Sequence, residues 1–370
     1  MFVLRWGFLA CIAIAIAPVA ARAQWTVEKT PAGASVNYNG KLVTEYHTRS
    51  GTKPILWPVI GPTEKPVTRA YPMKKKVPGE QSDHSHQRSC WFTYGSVNDV
   101  DFWSEPETAP QGARLGSIEH KEFVTLRGGA NEAVIETLND WLGPDGQKQC
   151  SDRRRLRFHM ADGQRIIDFD ITLLAPEKPV VFGDTKEGAF GVRVAQNMAL
   201  TSKLGGKIVN SEGQTDGDAW GMPARWVDYH GPVDDDDDTV VGIAIFNHPA
   251  SFHFPTRWHV RDYGLFAANP FGLKEFPGGG NGGCTLEAGK ELPLHYRMIL
   301  HKGDEKEADL ASAYEEYAKE PRPQNADRLN RPCGAAAARS DARRFVRTRR
   351  DWRSEPRSFP APRHLSALRP

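Results

Sequence analysis

Two stretches of the chain concentrate side chains able to move protons or hold anions. In "SDHSHQRSCWFTYGSVNDVDFW", residues 82–103, an extended backbone places His84, His86 and Arg88 on one face and Asp83, Ser85 and Gln87 on the other, because side chains alternate along a strand. Imidazole titrates near neutrality, so the two histidines can serve as proton donor and acceptor. They can also share a divalent metal, although two ligands do not complete a site. The competing reading is a hydrogen-bonded surface strand.

The second stretch, "HPASFHFPTRWHVRDYGLFAANPFG", residues 248–272, repeats this chemistry. In "WHVRDYG" the same parity joins His259, Arg261 and Tyr263 on one face. Arginine suits bidentate recognition of a carboxylate or of neighbouring oxygens, and tyrosine and histidine exchange protons. An Arg-Asp ladder of purely structural purpose competes with that reading. Between the two stretches, "GDTKEGAFGVRVA" carries Lys186 and Glu187 after a turn, with Glu187 on the parity of Arg193. Two readings are open here: an ordinary salt bridge, or a general acid or base held beside an arginine. Lys186, Arg193, Trp91, Trp103, Trp226, His248 and Asn269 are candidate substrate contacts. Aromatic faces beside polar groups suit sugar rings, but most aromatics of a β-protein pack its core.

The elements that must position these residues are mainly strands. Asn39-Gly40 and Asp162-Gly163 each separate two alternating runs, a strong hairpin signal because a type I′ turn needs positive φ at both central residues. Around the second turn, Ile167, Phe169 and Ile171 share one face. Further strand-like runs are "EFVTLRG", "EAVIETLNDWL", "GAFGVRVA", "TVVGIAIFNH" and "LPLHYRMIL". Strands this frequent, without alternating long helices, predict an all-β, mostly antiparallel fold. One helix is expected over Asp304–Lys319, opened by an Asp304-Glu307 capping pattern and closing the domain against a sheet. "DDDDD" at 234–238 and "PGGGNGG" at 277–283 read as loops.

Residues 1–23 have the form of a signal peptide, with Arg5, the apolar "GFLACIAIAIAPVA" and a small-residue cleavage pattern ending at Ala23, so a periplasmic or secreted protein is expected. No later run is long and apolar enough to span a bilayer as a helix. The formal charge of +2 hides an asymmetry: residues 321–370 hold 13 Arg against 4 acidic groups, whereas residues 24–320 carry 33 basic and 42 acidic groups, net −9. The body therefore lacks the basic footprint of a nucleic-acid binder. Residues 321–370, rich in Arg, Pro and Ala, predict a disordered tail, leaving residues 24–320 as one domain. Cys90, Cys150, Cys284 and Cys333 contain no C-x-x-C pair, and spacing alone does not choose between a disulfide and buried free thiols.

"SDHSHQRSCWFTYGSVNDVDFW", "GDTKEGAFGVRVA", "WGMPARWVDYHGPV" and "FPTRWHVRDYGLFAANPFG", in this order, resemble the PmoA-like family of exported bacterial proteins over about residues 25–302. The chain retains Asp83, His84, His86, Arg88, Trp91, Gly95, Asn98 and Trp103 of the family pattern. It has Gln87 and Tyr94 where that pattern has histidine, and Asp99 in place of glycine. The family name suggests a methane oxygenase subunit, an activity not expected of a chain without a membrane span. The resemblance implies a large antiparallel β-sandwich of galactose-mutarotase-like form and raises the expectation of carbohydrate. The leading expectation is an exported protein that performs acid/base chemistry on a sugar or glycan, with His84, His86, Arg88, Glu187, His259, Arg261 and Tyr263 converging in one cleft. A non-catalytic glycan-binding module and a metal-dependent enzyme using the His84/His86 pair are the alternatives, and no cofactor is otherwise expected.

Overall fold

The computed structural model describes residues 24–175, 177–233 and 239–322. The signal-like segment 1–23, the Asp run 234–238, Cys333 and the tail beyond Arg322 lie outside them. The chain divides into a unit of residues 1–334 and a second unit, 335–370, wholly outside the described residues.

The strands are, in chain order, β1 (Trp25–Lys29), β2 (Gly33–Tyr38), β3 (Lys41–Ser50), β4 (Lys53–Val59), β5 (Cys90–Tyr94), β6 (Ser117–Arg127), β7 (Glu132–Leu142), β8 (Lys148–Ala161) and β9 (Gln164–Leu174). They continue with β10 (Val180–Phe182), β11 (Gly188–Arg193), β12 (Lys207–Asn210), β13 (Trp226–Pro232), β14 (Val240–Asn247), β15 (Arg257–Val260), β16 (Leu265–Asn269), β17 (Cys284–Leu286) and β18 (Glu291–Lys302). They form two eight-stranded sheets, β1-β2-β3-β4-β5-β11-β16-β15 and β12-β13-β14-β18-β9-β8-β7-β6, and a small β10-β17 ribbon. The fold is thus an all-β antiparallel sandwich of galactose-mutarotase-like form. Both expected hairpins are present: Asn39 and Gly40 take φ of 50° and 76°, as do Asp162 and Gly163.

The main core lies between the sheets, where Phe92 and Phe190 of the first meet Trp141, Phe169 and Tyr296 of the second; Ile167, Phe169 and Ile171 share it as the alternation requires. The outer face of the second sheet is covered by α1 (Leu310–Lys319), whose Leu310, Tyr314 and Tyr317 pack on Trp226, Phe246 and Ile299. The Asp304-Glu307 exchange forms, with the Glu307 N–H donating to Asp304 Oδ1 at 2.9 Å and the Asp304 N–H to Glu307 Oε2 at 3.1 Å. The α-helix nevertheless starts only at Leu310, because Asp309 takes a left-handed φ of 47°.

The outer face of the first sheet carries a separate apolar cluster of Ile55, Trp91, Trp103, Leu265 and Ala267. Register explains it. Ile55 pairs with Trp91, Trp91 with Gly191, Gly191 with Ala267 and Ala267 with His259, so one row crosses β4, β5, β11, β16 and β15. Gly191 is required there by close approach: a Cβ would sit 2.7 Å from the Trp91 ring.

Candidate active site

Above that row lies a cleft of about 490 Å³, within the size range of ligand pockets. Both polar stretches open into it. His84, His86 and Gln87 enter from the segment before β5, Asp101 and Trp103 from the segment after it, Lys186 and Glu187 from the turn before β11, and His259, Arg261 and Tyr263 from β15 and its following turn.

Trp103 lies 5.4 Å from Trp91 between ring centroids, and His86 lies 6.0 Å from Trp103. His86 is 7% exposed and its buried Nδ1 has no hydrogen-bond partner among the described residues. Burial, reinforced by the Lys53 cation, lowers its pKa to about 3, so the ring is neutral at physiological pH. His84 stacks on Tyr263 at 4.9 Å, and its Nδ1 lies 2.8 Å from Asp83 Oδ2. Burial opposes the Asp83 charge, but His84, Arg193 and Arg69 outweigh it and hold its carboxyl well below the usual range. A carboxylate only accepts, so His84 Nδ1 donates, and Nε2 is the ring nitrogen left outside that bond.

His259 reaches the same arrangement from the other side. Its Nδ1 donates to the Lys186 carbonyl at 3.0 Å, leaving Nε2 unprotonated, and burial together with Arg261 lowers its pKa to about 4. Glu187 lies 4.0 Å from His259 Nδ1 and 3.3 Å from Lys186 Nζ. Burial raises the Glu187 pKa and outweighs the opposing pull of Lys186. Lys186 itself is held mainly by Glu275, at 2.5 Å. The turn carrying Lys186 and Glu187 is pinned in place: Asn269 Nδ2 donates to the Thr185 carbonyl, the Thr185 N–H donates to Tyr94 Oη, and Asp184 accepts N–H groups from Leu273, Lys274 and Gly282. The glycine-rich loop 277–283 is a loop, as expected, and belongs to this clamp.

Several expected contacts are corrected. Residues 82–89 are not an extended strand: His84 and Ser89 take φ of 44° and 55°, which breaks the alternation. Gln87 therefore faces the cleft and accepts from Arg193 at 2.5 Å, while Arg88 turns away to Glu105 at 2.7 Å and Ser50 at 3.2 Å. Arg193 does not pair with Glu187. It lies beneath the site against Asp83 at 3.0 Å, with its guanidinium carbon 4.7 Å from the Tyr263 ring centroid. Trp91 supports the floor from below, and Asn269 positions the 185–187 turn rather than lining the cleft. Trp226 and His248 belong to the other sheet's outer face. Trp226 packs in the helix cluster, and His248 Nε2 donates to the Glu320 carbonyl at 3.1 Å. Asp101, Ser104 and Thr108 line the cleft without having been expected. They sit in an irregular segment with no periodicity to mark it.

Cys90 and Cys150 are buried free thiols, and Cys284 is disulfide-bonded. Among the described residues one group has the spacing of a metal site, Asp228, His230 and Glu305, whose ligand atoms lie within 4.8 Å of one another. It does not include the His84/His86 pair. Asp228 is already shared by His230 Nδ1 at 2.7 Å and His301 Nε2 at 2.9 Å. Burial opposes a charged His301, yet Asp228 outweighs it and raises the His301 pKa.

Fold and cleft together define a β-sandwich protein with a cleft lined by ionisable side chains on the open face of one sheet. Residues 33–315 match the family described as a family of unknown function, DUF6807, and the chain belongs to that family. This replaces the PmoA-like assignment: the matched family carries no such name, and the protein is a β-sandwich, not a PmoA-type membrane subunit. Among the described residues no helix is long and apolar enough to cross a membrane. No curated protein matches the sequence. Among solved structures, the alpha-galactosidase from Lactobacillus brevis is similar at 12% identity and a TM-score of 0.35, over 81% of this chain and 43% of that one. A Glycoside Hydrolase Family 97 enzyme from Pseudoalteromonas sp. strain K8, in complex with panose, is similar at 12% identity and a TM-score of 0.28, over 75% of this chain and 34% of that one. The chain thus spans less than half the length of either, and likeness at this level carries no argument about activity.

Proposed function

We propose that the protein is an exported carbohydrate-active enzyme that transfers protons on a sugar bound in the first-sheet cleft. The observation that carries this reading is the convergence of His84, His86, Glu187, His259 and Tyr263 on one cleft, with His84 and His259 each anchored through Nδ1 and offering Nε2. Groups held only for structure have no need to leave lone pairs directed away from their partners.

The chemistry follows from the protonation states. His259, neutral above about pH 4, accepts a proton from the sugar at Nε2. Glu187, whose burial favours the protonated acid, returns a proton to the oxygen on which charge develops. His84, aligned by Asp83, is the second proton acceptor, and Trp103 offers an aromatic face to the ring. The N-terminal signal pattern and the disulfide at Cys284 support export to an oxidising compartment.

The test is proton NMR in D2O with a panel of methyl glycosides and short oligosaccharides, which reads both bond cleavage and exchange of carbon-bound protons. Turnover by the wild type, reduced at least about a hundredfold in His259→Gln with ligand affinity retained, is the expected result. Equal turnover in His259→Gln, or sugar binding without any turnover, would leave a glycan-binding module as the better reading.

A further inference from the structure

The positive charge around the cleft is distributed unevenly. Arg69 and Arg193 are 0% and 1% exposed and share one carboxylate, Asp83, at 2.5 and 3.0 Å. Two buried guanidinium cations against one direct counter-ion leave the Tyr263 end of the site electropositive. Arg261 adds a third cation at that end. It is half-buried, lines the cleft, and has no carboxylate partner among the described residues. Its guanidinium carbon instead lies 5.8 Å from the ring centroids of both Trp220 and Tyr263. The other lysine or arginine of the cleft wall, Lys186, is neutralised by Glu275. Guanidinium groups in partly buried sites are ordinarily paired, and a planar fork left open over aromatic rings matches a planar, two-oxygen anion.

We infer that the cleft selects a carboxylate-bearing sugar, a uronic acid or a glycan containing one, with Arg261 pairing to the carboxylate. This inference rests on the proton-transfer reading of the same cleft and adds the class of substrate. The cleft is then polarised by function: the carboxylate is held at the Arg261 and Tyr263 end, and the sugar ring extends toward Glu187 and His259. A carboxylate also acidifies the adjacent carbon-bound proton of the sugar, the kind of proton that a neutral imidazole can remove.

The test is calorimetric titration of the full chain, disulfide intact, with the methyl glycosides of glucuronic and galacturonic acid and with those of glucose and galactose. The uronides are expected to bind at least about tenfold more tightly, a preference that weakens with added salt and disappears in Arg261→Gln. Arg261→Lys, which keeps the charge and loses the fork, is expected to retain only part of it. Circular-dichroism melting checks that both variants fold. Equal affinity for acidic and neutral sugars overturns the inference, as does a preference that survives in Arg261→Gln. Tighter binding of glucose 6-phosphate than of either uronide overturns the assignment to a carboxylate. If neutral glycosides are turned over without such a preference, this inference falls and the proton-transfer reading stands; if no sugar of either kind binds, both fall.

Discussion

His84 and Tyr263 lie face to face, with ring centroids 4.9 Å apart and planes 9° from parallel, although one precedes β5 and the other follows β15. This contact joins the two polar stretches into one wall. The ring does the joining, while the phenol hydrogen-bonds with the Gln87 side chain. Tyr263→Phe is therefore expected to keep ligand affinity within about threefold, and Tyr263→Ala to lose about tenfold, because an aromatic pair contributes roughly 0.5–1.5 kcal/mol beyond its buried area. Calorimetry on the two variants checks the difference.

Activity should follow a bell in pH. The acid limb reflects protonation of His259 near pH 4, which removes the acceptor. The alkaline limb reflects ionisation of Glu187, which removes the acid, and lies above the ordinary glutamate range because burial raises that pKa. The profile of kcat/KM, which reports the free enzyme, measures both. Lys186→Met, which removes the group opposing the shift, is expected to move the alkaline limb upward.

Beneath the cleft, Lys53 and Glu105 are 0% and 2% exposed and pair at 3.1 Å, with Arg88 on the same carboxylate. Glu105→Gln leaves the buried ammonium without a counter-ion. The expected cost is about 3 kcal/mol, seen as a fall in Tm of roughly 5 °C or more. Arg88→Gln, on the more exposed partner, should cost less in the same melts.

Stability should begin to decline on acidification below about pH 6.5, at the onset of histidine protonation in the unfolded chain. His86, His248 and His259 are held neutral by burial down to about pH 3, 4 and 4, whereas unfolded histidine protonates near 6.5. Between those values the unfolded chain binds more protons, so stability is full above about pH 6.5 and falls as pH drops through the window. His301, whose pKa is raised, contributes in the opposite sense and at higher pH. His248 accepts the Ala250 N–H and donates to the Glu320 carbonyl, an arrangement that fits only the neutral ring. His248→Gln, remote from the cleft, is expected to flatten the decline in Tm between pH 6.5 and 4.5.

The architecture was legible in the sequence where local geometry decides it. Asn39-Gly40 and Asp162-Gly163 fix two hairpins, and strand alternation sorted Ile167, Phe169 and Ile171 correctly. The same alternation placed His259 because it lies within β15. It failed for Arg88 because positive φ at His84 and Ser89 interrupts the extended chain, and only the tertiary partners Asp83 and Glu105 reveal that break. Trp226 and His248 were misplaced for a different reason. Whether a strand face meets a helix or a ligand depends on which sheet holds the strand, and that depends on pairing between distant segments. The motifs suggested the wrong family name, although they marked the stretches that meet in the cleft.

The most direct measurement is a crystal structure of the protein with methyl glucuronide or methyl galacturonide bound. The account predicts one sugar in the first-sheet cleft, with its carboxylate on Arg261, its ring beside Trp103 or Tyr263, and a ring atom within hydrogen-bond reach of His259 Nε2 or His84 Nε2. A sugar bound outside the cleft, or one resting on the aromatic rings with neither imidazole in reach, would contradict it.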